Sequence, residues 1–96
     1  MKNKLNIAVI GCSTMGELHM KGVVAKENAN LYAICDTDPE RLEERKKEFG
    51  VEKAVTDYRE LVADPEIDAA VIVVPDNFHL EMTAAFLRAG KDVLCE

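Results

Sequence analysis

Gly11-Cys12-Ser13-Thr14-Met15-Gly16 stands between a short apolar run and a helical stretch. Glycine at such a junction lets the chain turn tightly and lets a ligand approach the backbone closely. The N–H groups that open the following helix attract phosphate. Of the three glycine places in a dinucleotide-binding turn, Gly11 and Gly16 fill the first and third. Ser13 takes the middle one, where its Cβ asks for more room and its hydroxyl offers a donor. Asp36 lies 20 residues beyond Gly16, at the end of a second apolar run. An acid there suits the hydroxyls of a nucleotide ribose. The residue after it is Thr37, not a base, so the carboxylate repels a 2′-phosphate and NAD is favoured over NADP. Arg41, on the next helix, is the nearby cation that argues the other way. The plainer reading makes Gly11–Gly16 a simple joint and Asp36 a turn residue, but Asp38 already supplies the cap there.

Other residue types that carry chemistry fall into no reactive pattern. Cys12, Cys35 and Cys95 all end predicted strands, and with His79 they match no zinc spacing, so no metal is expected. No nucleophilic cysteine is expected, although the place of Cys12 at a helix start allows some thiolate character. His19 reads as a helix-surface or packing residue, and Met15 and Met20 as core fillers. Arg45-Lys46-Lys47, set among Glu43, Glu44 and Glu48, reads as a solvated helix face.

These residues are carried by alternating short β-branched runs and amphipathic stretches. Strands are expected at Leu5–Ile10, Leu31–Cys35, Lys53–Thr56, Asp68–Val74 and Lys91–Cys95. A first helix starts at Ser13 or Thr14 and runs to about Glu27, burying Leu18, Val23 and Val24. The second is capped by Asp38, has Pro39 at its first position and ends at Gly50. Asp57 caps a short third helix to about Ala63, and the last covers His79–Ala89. Strands joined by helices must be parallel, with right-handed crossovers. The expectation is an α/β fold of the Rossmann type: a doubly wound parallel sheet of about five strands, order 3-2-1-4-5, helices on both faces.

With 48% hydrophobic and 31% charged residues, the 96-residue chain has the composition of a soluble globular protein. Its formal charge of −6 argues against nucleic acid or an anionic membrane as partner. No run approaches the ~18 apolar residues of a membrane span. Three cysteines and no leader-like start point to reduced thiols and a cytoplasmic location.

The later motifs resemble a known family. Val73-Val74-Pro75-Asp76-Asn77-Phe78-His79 is similar to the Pro-Asn-x-x-His stretch of the Gfo/Idh/MocA oxidoreductases, with the Asn one place later than in the commonest form. Ala89-Gly90-Lys91-Asp92-Val93-Leu94-Cys95-Glu96 resembles the start of that family's Ala-Gly-Lys-x-Val-x-x-Glu-Lys-Pro signature. The resemblance implies an NAD(P)-binding domain over residues 1–96, truncated before a substrate domain. It implies hydride transfer between the nicotinamide and a secondary alcohol of a sugar, cyclitol or related compound, in a homo-oligomer. It puts Val74, Pro75, Asn77 and His79 along the cofactor and Glu96 near the nicotinamide ribose. Gly11, Cys12, Ser13, Thr14, Met15, Gly16, Asp36 and Thr37 hold the other half. The family's catalytic lysine is expected directly after Glu96, so this chain is expected to bind cofactor without catalysing. An NAD(H)-sensing regulatory module shares the glycine turn and the Asp-x-Asp-Pro stretch. It is not expected to carry the two later motifs.

Overall fold

The computed structural model describes residues 4–74 and 76–95. The elements run β1 (Leu5–Ile10), α1 (Thr14–Val24), β2 (Ala29–Cys35), α2 (Pro39–Phe49) and β3 (Lys53–Val55). They continue with α3 (Arg59–Val62), β4 (Ala69–Ile72), α4 (Asp76–Arg88) and β5 (Asp92–Cys95). All strand pairs are parallel, in the expected order β3-β2-β1-β4-β5.

Alternation along β1 divides the core. Ala8 and Ile10 face a layer containing Leu61 of α3 and Phe86 of α4. Val9 faces the opposite layer, built on Met20 and Val23 of α1 and Leu42 of α2. The β1–β2 register shifts between Ile7 and Ala8, which pair with Leu31 and Ala33. The extra residue is Tyr32, and both it and Ala33 turn toward the α3/α4 layer. This bulge locally breaks the period-two alternation.

The cap chemistry of α2 is as expected: the Asp38 carboxylate accepts from the N–H of Glu40 and Arg41, and Gly50 ends the helix at φ 65°. Helix α1 differs from expectation. It stops at Val24, and its buried stripe is Gly16, Met20 and Val23. Leu18 and Val24, expected inside, are exposed, as is Met15. A spacing of four and then three residues runs through Gly16, and that stripe alone lies against the sheet. Helix α4 starts three residues before the expected His79, at Asp76. Asp and Asn suit a first turn, whose N–H groups have no partner within the helix. Strand β4 is shorter than expected. Beyond Ile72 the Val73 N–H still donates to the Ile10 carbonyl at 2.8 Å.

Candidate cofactor-binding site

The carboxyl ends of β1, β2 and β4 converge on the glycine turn. The Gly11 N–H donates to the Cys35 carbonyl at 2.8 Å, tying the turn to β2. On the β4 side the approach is closer. A Cβ on Gly11, which sits at φ +105°, would lie 2.1 Å from the Val73 carbonyl oxygen. A Cβ on Gly16 would lie 1.9 Å from the Gly11 carbonyl oxygen. Both positions therefore require glycine, the first for backbone conformation and the second for helix–turn contact. Ser13 precedes α1 in extended conformation and its side chain makes no cap hydrogen bond.

Asp36 is buried beside the turn. Its Oδ2 accepts from the Cys12 N–H at 2.9 Å and its Oδ1 from the Asp38 N–H at 2.8 Å. Arg41 approaches the same Oδ2 at 3.5 Å. The acid thus holds the turn in place as well as marking the end of β2. The Cys12 carbonyl in turn accepts from Arg45 Nε at 3.0 Å, and the Arg45 guanidinium also pairs with Glu17 and Glu48. Arg45 is only 18% exposed, so it is not part of a solvated face. Its position three residues after buried Leu42 was the available signal, since that spacing returns to the same side of a helix.

A cavity of about 440 Å³ opens here, within the range of small-molecule sites. Gly11, Cys12, Ser13, Asp36, Thr37 and Val74 line it. Arg41, Val73, Phe78 and Met82 complete the lining. Thr14, Met15, Gly16, Asn77 and His79 do not line it: the first three start α1, and the last two lie on the first turn of α4. The His79 ring is part-buried, and its Nε2 has no hydrogen-bond partner among the described residues. Pro75 and Glu96 lie outside the described residues.

The start of α1 does not activate Cys12. Burial, with the Asp36 charge adding to it, pushes its thiol up to about 12. Burial likewise pushes Cys35 up to about 12, and the two are free thiols. The cavity thus has a room-giving glycine turn, a helix N-terminus and an anchored carboxylate. These parts fit the diphosphate and ribose of a dinucleotide.

Residues 5–96 match the Gfo/Idh/MocA family model, an oxidoreductase family with an NAD-binding Rossmann fold. The chain belongs to the Gfo/Idh/MocA oxidoreductase family. Among its relatives, myo-inositol 2-dehydrogenase of Thermotoga maritima is 40% identical over 92 residues, covering 96% of this chain and 28% of the relative. The 1,5-anhydro-D-fructose reductase of Ensifer adhaerens is 36% identical over 92% of the chain and 26% of its own length. The crystal structure of scyllo-inositol dehydrogenase from Lactobacillus casei, with NAD(H) and scyllo-inositol bound, superposes with a TM-score of 0.89 at 34% identity. That match covers 96% of this chain and 27% of the other. The chain thus spans little more than a quarter of the length of these relatives.

Proposed function

We propose that this chain is the cofactor-binding part of an NAD-dependent oxidoreductase acting on a secondary alcohol of a cyclitol, sugar or related compound. The observation that carries the reading is the junction of the Gly11 turn with the Asp36 carboxylate at one cavity. Gly11 and Gly16 keep the backbone clear for a diphosphate. The Ser13 hydroxyl and the first N–H groups of α1 donate to it, and Asp36 accepts from the adenosine ribose. Val74, Asn77 and His79, with Pro75 and Glu96, form the nicotinamide side, and the unpartnered His79 Nε2 is a polar atom able to take a partner there. A nicotinamide dinucleotide supplies the hydride acceptor or donor. The Asp36 charge, with Thr37 following, favours NAD over NADP.

Substrate choice and proton transfer belong to parts of the protein beyond these 96 residues. An alcohol must lose a proton as hydride leaves, and that needs a base within hydrogen-bond reach. Of the described groups lining the cavity, Asp36 is engaged by N–H donors and burial disfavours the Cys12 thiolate. The names of the relatives support a cyclitol or sugar as substrate, and the two buried free thiols suit a cytoplasmic protein. The test is to titrate the chain with NADH, following nicotinamide fluorescence, and then to supply NAD and myo-inositol. Saturable binding without NADH formation is expected. Absence of binding at millimolar NADH contradicts the cofactor role, and turnover contradicts the placement of the base.

A further inference from the structure

The glycine turn is held peptide by peptide. The Gly11 N–H donates to the Cys35 carbonyl at 2.8 Å, the Cys12 N–H to Asp36 Oδ2 at 2.9 Å, and the Glu17 N–H to the Ser13 carbonyl at 2.8 Å. The peptide between Cys12 and Ser13 is held by a side chain from another element. Its carbonyl accepts from Arg45 Nε at 3.0 Å, 33 positions away on α2. Arg45 Nη1 lies 3.3 Å from Glu17 Oε2 and 3.0 Å from Glu48 Oε1. Pulling a half-buried guanidinium off such partners is costly, so Arg45 stays beside the turn and acts through it. A trans peptide is planar, and its N–H points opposite to its carbonyl. With the Cys12 carbonyl drawn toward α2, the Ser13 N–H faces away from Arg45, and Ser13 lines the cavity. The same guanidinium offsets Glu17, an acid in the first turn of α1. Left unpaired, that carboxylate would compete with any anion for the positive end of the helix.

We propose that Arg45 is a positioning residue for the cofactor: without touching it, Arg45 turns the Ser13 N–H toward the diphosphate and keeps the Glu17 charge from opposing it. The assignment rests on the cofactor reading above. Asp36 grips one side of Cys12 through its N–H, and Arg45 grips the other through its carbonyl. The planar fork of arginine lets one side chain hold the carbonyl through Nε while Nη1 holds the carboxylates.

The test is the NADH Kd, read by nicotinamide fluorescence well below each Tm, for the wild-type chain, Arg45→Met and Arg45→Lys. Met keeps an unbranched apolar stem against the turn without the donors or the charge, and its Kd rises about tenfold. Lys keeps the charge beside Glu17 but not the fork, and its Kd rises less than that of Arg45→Met but by more than about twofold. Arg45→Lys alone carries the test if Arg45→Met does not fold. Amide NMR supplies a readout that lost packing would not move. The Ser13 N–H resonance shifts when NADH is added to the wild-type chain and shifts much less in the variants. A Kd within about twofold of wild type, or a Ser13 response that persists undiminished, overturns the assignment and leaves the cofactor reading intact. A wild-type chain that binds no NADH overturns both.

Discussion

At the residue scale, three glycines separate conformational need from space. A methyl on Gly11 meets the Val73 carbonyl oxygen at 2.1 Å in a backbone at φ +105°, and one on Gly16 meets the Gly11 carbonyl oxygen at 1.9 Å. A methyl on Gly22, inside α1, meets nothing within 4 Å. Gly11→Ala and Gly16→Ala are expected to destabilise by about 3 kcal/mol or more. Gly22→Ala is expected to stabilise by about 0.5–1 kcal/mol, because alanine loses less backbone freedom in a helix. Thermal melting of the three variants checks this, and equal effects at all three positions would contradict it. Gly11, Gly16 and Asp36 were legible in the sequence because their spacing follows from strand–turn–helix geometry. The grip of Asp36 on the Cys12 N–H and that of Arg45 on the Cys12 carbonyl were not, since they join residues 24 and 33 positions apart. The Cys12 thiol is set by competing influences. A helix N-terminus lowers a thiol pKa, but here burial and the neighbouring Asp36 charge act more strongly in the other direction.

At the scale of elements, local chemistry predicted well wherever the stabilising groups are close in sequence. Asp38, Pro39 and Gly50 bound α2 as their types require. The buried side of α1 was harder to foresee. Leu18 and Val24 are as apolar as Val23, and only the contact of Gly16 with the turn selects the stripe through Met20. The Tyr32 bulge, too, depends on pairing with β1. Beyond it, β3 and the segment after α3 meet in an ion pair between Lys53 and buried Asp64. Burial alone would raise the Asp64 carboxyl. The hydrogen bonds from Lys53 and the Glu66 N–H outweigh it and hold the group below its ordinary 3.8. Lys53 is raised above 10.5, chiefly by its hydrogen bond to Asp64. A depressed carboxyl stabilises above its unfolded pKa, and that stability is lost as pH falls through the folded value. A raised lysine stabilises below its unfolded pKa, and that is lost as pH rises through the folded value. The corner is thus fully stabilising between 3.8 and 10.5. Asp64→Asn is expected to lower Tm at pH 7 and to flatten the loss of stability toward pH 3. An unchanged acid limb would contradict the pairing.

At the scale of the whole molecule, the doubly wound order places one helix layer on each face and gathers the strand ends at the cavity. Parallel strands are usually covered on both faces. Here Leu94 of β5 stays 55% exposed and, with exposed Leu18 of α1, lines a second cavity of about 310 Å³. The chain spans little more than a quarter of the length of its relatives. The sheet order was legible from alternation and crossover handedness alone. The account rests on a dinucleotide seated between the Gly11 turn and Asp36. A ligand that binds only the folded state at about 100 times its Kd stabilises by about 2.7 kcal/mol, which in a domain of this size moves Tm by many degrees. The direct measurement is the Tm of the chain with and without saturating NADH, beside that of Asp36→Ala. The account predicts a rise of about 10 °C that is largely lost in the variant. No rise at millimolar NADH, or an equal rise in Asp36→Ala, would contradict it.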